Sequence, residues 1–188
     1  MSQPRIISGK ARGIRLQDVP GDITRPVTDR VKEAFYNILG TDILDARFLD
    51  LFGGTGSIGI EALSRGARSC LFLDLHNQAV NTIKANLKTT RLEENARVLQ
   101  MDAFRFLESQ TNDKFEYIYI APPQYKQMWV KALQLVDKNL ELLTEDGWVV
   151  VQIHPIELEE VTLNNLHEFD RREYGSTVLL FYSRNDFE

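Results

Sequence analysis

A single cysteine, three histidines and no long apolar run set the first limits on this 188-residue chain. Cys70 has no disulfide partner. A reducing compartment is therefore expected, with the thiol buried and inert inside the run Cys70-Leu71-Phe72-Leu73. His76, His154 and His167 combine neither with one another nor with Cys70 at metal-ligand spacing, so no metal is expected. No apolar stretch approaches the roughly 18 residues that cross a bilayer. The start Met1-Ser2-Gln3-Pro4-Arg5 lacks the apolar core of a secretory signal. A cytoplasmic monomer with no membrane partner is the expectation. Internal repeats and low-complexity tracts are absent too. What remains, 43% hydrophobic and 26% charged residues, is the composition of one folded domain with a sizeable core.

The net charge of −5 argues against a polyanionic partner until its distribution is examined. Residues 1–32 carry seven Lys/Arg against three Asp, whereas the rest carries 15 basic against 24 acidic residues. A basic arm on an acidic body is a plausible phosphate-contacting element, because charge acts within about a Debye length of roughly 10 Å. The alternative is an ordinary solvated surface segment.

Arg5-Ile6-Ile7 and Ile14-Arg15-Leu16 read as two short strands with turn chemistry at Ser8-Gly9-Lys10 and Gly13. After the break at Pro20-Gly21-Asp22, Thr28 is a good N-cap for a helix through Val31, Ala34, Phe35, Ile38 and Leu39, ended by Gly40. From Arg47 strands and helices alternate. Phe48–Phe52 precedes a glycine loop and a helix Ser57–Arg65. Cys70–Leu73 ends at Asp74, and Val98-Leu99 ends at Asp102. Tyr117–Ile120 stops at Ala121-Pro122-Pro123, and a helix through Trp129, Leu133 and Val136 leads to Trp148–Val151. Continuous apolar strands separated by helices predict a parallel sheet covered on both faces. Arg171–Tyr174 and Thr177–Tyr182 are joined only by Gly175-Ser176, which permits an antiparallel hairpin but no crossover. The expected fold is α/β and Rossmann-like. It has a mostly parallel seven-stranded sheet, helices on both faces and a C-terminal antiparallel hairpin. Residues 1–40 form a basic β-hairpin and helix appendage, and residues 41–188 form the catalytic-type unit.

The loop Asp50-Leu51-Phe52-Gly53-Gly54-Thr55-Gly56-Ser57-Ile58-Gly59 allows a ligand close to the backbone, at the N-terminus of the next helix. Gly54-x-Gly56-x-x-Gly59 with Asp74 twenty residues after Gly54 also satisfies the NAD fingerprint, which keeps an oxidoreductase open. Acidic residues at three strand ends, Asp50, Asp74 and Asp102, belong at the carboxyl edge where ligands bind. They match the amino group, ribose hydroxyls and adenine amine of S-adenosylmethionine (SAM).

With these residues the stretch Arg47–Gly66, Asp74, Asp102 and the Pro-Pro loop resembles the class I SAM-dependent methyltransferases. Thr24-Arg25-Pro26-Val27-Thr28-Asp29-Arg30-Val31-Lys32-Glu33, Arg5–Lys10 and Gly59–Ala67 narrow the likeness to the RsmD-type 16S rRNA (guanine-N2)-methyltransferases. That resemblance implies SAM as cofactor and 16S ribosomal RNA, or the small ribosomal subunit, as partner. It implies that Asp50, Phe52 and the loop Gly53, Gly54, Thr55 and Gly56 hold the methionine end. Asp74 with Leu75 would take the ribose, and Asp102 with Ala103 the adenine. Arg25, Thr28 and Arg30 would line the approach to RNA, with helix capping and surface ion pairs as the alternative. Arg5, Lys10, Arg12 and Arg15 would grip RNA phosphates.

The segment Ala121, Pro122, Pro123, Gln124 and Tyr125 would carry the chemistry, Tyr125 stacking on a flipped-out or unpaired guanine. Family members place an acidic residue or Asn where this chain has Ala121. An exocyclic amine is a poor nucleophile, and an acceptor oxygen would orient it and favour the developing positive charge. The Ala121 side chain accepts nothing, whereas the Pro122 carbonyl and the Gln124 amide can. The expectation is an active rRNA guanine-N2 methyltransferase. The alternatives are a catalytically impaired SAM- and RNA-binding assembly factor and, more remotely, an NAD-dependent oxidoreductase.

Overall fold

The computed structural model describes residues 3–21, 27–124 and 127–186. Its centre is a seven-stranded sheet of order β3-β2-β1-β4-β5-β7-β6. The strands are β1 (Arg47–Asp50), β2 (Ser69–Asp74), β3 (Ala96–Gln100), β4 (Phe115–Ile120), β5 (Leu143–Ile153), β6 (Leu166–Tyr174) and β7 (Thr177–Arg184). The first five in spatial order are parallel, and β7 pairs antiparallel with both β5 and β6. The helices are α1 (Asp29–Leu39), α2 (Ser57–Ser64), α3 (Asn77–Thr90), α4 (Ala103–Glu108) and α5 (Met128–Lys138). This is the mostly parallel α/β fold expected from the alternating apolar runs.

Those runs are continuous because both sheet faces are covered. Phe48, Phe72, Tyr119 and Val150 pack with α1, α2 and α3 on one side. Leu49, Leu71, Ile118 and Val149 pack with α4 and α5 on the other. Along each strand, successive side chains therefore enter different cores. The N-terminal segment joins the first core through Ile6, Ala11 and Leu16. Thr28 caps α1 by accepting from Val31 N at 3.3 Å, and Gly40 closes it at a φ of 55°.

Several local expectations need correction. Arg5–Ile7 and Ile14–Leu16 pair in a hairpin-like way, but only one antiparallel bridge forms, between Arg5 and Arg15. The body takes several of the other backbone donors. Ile7 N and Ser8 N donate to Glu61, and Ala11 N to Ser64 Oγ. The third strand ends at Gln100 rather than Asp102. Met101 N turns to the Asp74 carbonyl at 3.0 Å, and Asp102 becomes the N-cap of α4. The helix after the glycine loop ends at Ser64, with Arg65 as its cap. The C-terminal hairpin is longer at both ends than its apolar core, running from Leu166 to Arg184 around the pair Tyr174–Thr177.

Candidate active site

The carboxyl edge of β1, β2 and β3 gathers the acidic residues singled out in the sequence. β1 delivers Asp50 into the interior, 2% exposed, where its Oδ2 accepts from Gly59 N at 3.2 Å. Burial pushes the Asp50 carboxyl well above its ordinary pKa. The Gly59 bond opposes that shift, and the neighbouring charge of Asp74 adds to it. Asp74, at the end of β2, accepts from Gly54 N at 3.0 Å on Oδ2 and from His76 N at 2.9 Å on Oδ1. Each oxygen keeps a further lone pair for a ligand. Asp102 reaches the same edge, one residue past the Met101–Asp74 bond, and caps α4 through Arg105 N at 3.0 Å.

The glycine loop is shaped by what surrounds it. Gly53 N donates to the Leu73 carbonyl at 2.7 Å, and Gly56 N to Gly53 at 2.8 Å. Gly54 has a φ of 57°, with open space where a Cβ would stand. A side chain there would be strained and would occupy the face left free for a ligand. Gly59, inside α2, is required by packing instead, since a Cβ would lie 2.3 Å from Phe72 Cε1 and 2.6 Å from Cys70 Sγ.

An apolar flank adjoins the carboxylates. Leu75 is 55% exposed directly after Asp74. The rings of Phe52 and Phe104 meet edge to face at 6.4 Å, beside the buried Ala103, and Lys131 Nζ stands 4.3 Å from the Phe104 centroid. Open glycine backbone, a carboxylate with free acceptors and an apolar flank suit a ligand with a diol, a flat ring and a cationic tail.

The segment after β4 lies at the same edge, whereas the arm docks at Lys10 and Ala11 on Ser64, the far end of α2. Ala121, Pro122 and Pro123 follow β4 and are half-buried, and Gln124 is exposed in the turn. Tyr125 and Arg25 lie outside the described residues. Arg5 pairs with Asp29 at 2.7 Å. Lys10, Arg12, Arg15, Thr28 and Arg30 are exposed.

Sequence reasoning missed the buried polar groups behind the loop. Lys32, 1% exposed, pairs with Glu61 at 3.3 Å. Its ammonium also donates to Ser57 Oγ at 2.9 Å and to the Arg5 carbonyl. Burial lowers its pKa, and the charge of Glu61 works against that shift. Asn86, fully buried in α3, donates to the carbonyls of Thr55 at 2.8 Å and Gln17 at 3.0 Å, and accepts from Gln17 N at 2.7 Å. The available signal was a polar residue among apolar positions, Lys32 beside Val31 and Phe35, and Asn86 between Ile83 and Leu87.

Among the described residues, no group of three or more His, Cys, Asp or Glu is placed to hold a metal ion, and no helix is long and apolar enough to cross a membrane. A family described as "Conserved hypothetical protein 95" matches residues 4–183. A Bacillus subtilis (strain 168) protein named "Putative rRNA methyltransferase YlbH" is 40% identical over 183 residues, 96% of this chain and 98% of that protein. "Ribosomal RNA small subunit methyltransferase D" of Escherichia coli (strain K12) is 36% identical over 149 residues, 78% of this chain and 70% of that protein. The solved structure "Putative methyltransferase yhhF from Escherichia coli" superposes with a TM-score of 0.84 at 30% identity, covering 97% of this chain and 98% of that one.

Proposed function

The chain belongs to the conserved hypothetical protein 95 family, and from that premise we propose that it is a SAM-dependent methyltransferase acting on the exocyclic N2 amine of a guanine in small-subunit ribosomal RNA. The observation that carries this reading is the convergence of Asp50, Asp74, Gly54 and Asp102 on one edge, bound together by the Gly54–Asp74 and Met101–Asp74 hydrogen bonds.

The residues present fit the cofactor. Asp74 has acceptors left for the ribose hydroxyls, and Leu75, Phe52 and Phe104 offer apolar contact to the adenine beside Asp102 and Ala103. Asp50, buried behind the loop, and the loop Gly53, Gly54, Thr55 and Gly56, open at Gly54, would hold the cationic methionine end. Bound there, SAM supplies an electrophilic methyl group on a sulfonium. The protein's part is to position the amine in line with it, which accounts for most of the rate enhancement in such a transfer. Ala121-Pro122-Pro123-Gln124-Tyr125 would form the wall against the target base. The exposed Lys10, Arg12 and Arg15, with Arg5, Arg25, Thr28 and Arg30, would meet the RNA backbone. A monomer working in the cytoplasm completes this reading.

The dinucleotide alternative loses support from topology. Its parallel order runs 3-2-1-4-5-6, whereas here β7 enters antiparallel between β5 and β6. A second reading, an impaired SAM- and RNA-binding assembly factor, rests on Ala121. One experiment separates them: methyl-labelled SAM with small ribosomal subunits lacking their normal RNA methylations, for the wild type and Ala121→Asp. Label on a guanine N2 from the wild type is the expected result. Label from the variant alone favours the binding factor, and NAD binding without SAM binding ends the methyltransferase reading.

A further inference from the structure

Ala121 stands beside a polar pair that no sequence motif announced. β4 and β5 run parallel with Tyr119 opposite Val150 and Ile120 opposite Val151. One further step sets Ala121 alongside Gln152. Paired residues of neighbouring strands project to the same face, and successive ones alternate. Val151 and Ile153 belong to the core under α4 and α5, so Gln152 between them faces the other side. Tyr119 belongs to the core on that side, against which Ala121 packs. A hydrogen bond fixes the arrangement, the Tyr119 hydroxyl donating to Gln152 Oε1 at 2.5 Å. The other flank of Ala121 is the cofactor loop, since Asp50 is registered with Tyr119 and Leu51 N donates to the Tyr119 carbonyl at 3.1 Å.

We propose that Gln152 supplies the acceptor that Ala121 lacks, its Oε1 taking a hydrogen bond from the exocyclic amine of the substrate base while Tyr119 holds the amide in place. The inference rests on the methyltransferase reading above. An amide oxygen has two lone pairs, so Oε1 serves both donors. The small Ala121 side chain leaves the room that a longer one would fill, and Gln152 is half-buried, bordering the open edge. Tyr119 is 1% exposed. Burial, with the charge of Asp50 second, holds its phenol well above the ordinary pKa, so it remains a donor. Gln124 is exposed in a turn, whereas Gln152 comes from a central strand, which places a group more accurately.

The step balances without a protein base. The amine lone pair forms the new N–C bond, the C–S electron pair goes to sulfur to leave a thioether, and the proton of the methylated nitrogen passes to water. Gln152 orients the amine and favours its developing positive charge, and takes no proton. Tyr119 is a positioning residue.

The test measures label transfer from methyl-labelled SAM to small ribosomal subunits lacking their normal RNA methylations. Wild type, Gln152→Leu and the double variant Gln152→Leu/Ala121→Asp are compared, with S-adenosylhomocysteine binding by calorimetry and thermal melting for each. Gln152→Leu is expected to lower kcat about 10²- to 10³-fold, with binding unchanged and melting a few degrees lower because the buried Tyr119 hydroxyl loses its acceptor. Ala121→Asp should restore at least about tenfold of that loss and make turnover fall in acid, because the new acceptor is a carboxylate. The proposal is overturned by a Gln152→Leu enzyme within about threefold of wild type, by a loss that Ala121→Asp leaves unrepaired, or by one accompanied by weaker binding. A wild type that transfers no label refutes the methyltransferase reading itself, and this proposal with it.

Discussion

Replacing Asn86 by Leu isolates the energy that ties the N-terminal arm to the glycine loop. The substitution keeps volume and apolar packing but deletes three hydrogen bonds, to Gln17 N, the Gln17 carbonyl and the Thr55 carbonyl. An orphaned buried polar group costs about 1–3 kcal/mol. Gln17 is exposed and can turn to water, while Thr55 is half-buried, so the total is at the low end of the sum, about 3 kcal/mol. For a chain of this size that lowers Tm by roughly 6–12 °C. Calorimetry reads the shift, and limited proteolysis shows cleavage between Arg5 and Gln17 rising as the arm loses its tether. A Tm within about 2 °C of wild type, with the arm still protected, would refute the reasoning. Asn86→Asp adds a check on sign. Its carboxyl would face two carbonyl oxygens in a buried site, so its proton is held to higher pH in the fold than in the unfolded chain. Its stability relative to wild type must therefore fall as pH rises past the unfolded carboxylate value of about 4, and recover on acidification.

Asp50→Asn removes a buried carboxyl whose pKa is raised by burial. The native state of the wild type holds that proton to higher pH than the unfolded chain does, so its stability falls as pH rises through the interval between the two values. The variant should melt a few degrees above wild type at neutral pH, converge with it in acid, and bind S-adenosylhomocysteine more weakly in calorimetry. Gly59→Ala drives a methyl into Phe72 and Cys70 at 2.3 and 2.6 Å, and should cost about 1–3 kcal/mol in urea unfolding. Arg12→Glu with Arg15→Glu should weaken binding to small-subunit RNA and flatten its salt dependence by about one unit of slope per lost phosphate contact, with melting unchanged; an unaltered slope removes the arm from the RNA interface.

Legibility in the sequence followed burial pattern. β1, β2 and β4 were readable because they are buried on both faces and stop at an acidic residue or a proline. The first half of β6, Leu166–Asp170, was not, because its mostly exposed side chains show no alternation and only pairing with β7 defines it. α4, six residues long, is too short for helical periodicity to register. The N-terminal strands were overcalled, since turn chemistry says nothing of Glu61 and Ser64, which intercept the donors of Ile7, Ser8 and Ala11. The acidic edge was legible because strand ends can be located locally. Gln152 was not, because its meaning depends on which residue of another strand stands beside it.

The same distinction explains the architecture of the arm. Glu61, Ser64, Asn86 and Lys32 hold it almost wholly by backbone groups, those of Arg5, Ile7, Ser8, Ala11 and Gln17. Docking by backbone leaves Lys10, Arg12 and Arg15 exposed, with no side-chain hydrogen bond or ion pair among the described residues. Two of the four holding residues also grip the loop, Lys32 at Ser57 and Asn86 at Thr55. A ligand that orders the loop therefore acts on groups that also fix the arm. On the proposed reading, cofactor and RNA then bind a single hydrogen-bonded unit. Any factor by which one tightens that unit for the other must, by linkage, be returned in full.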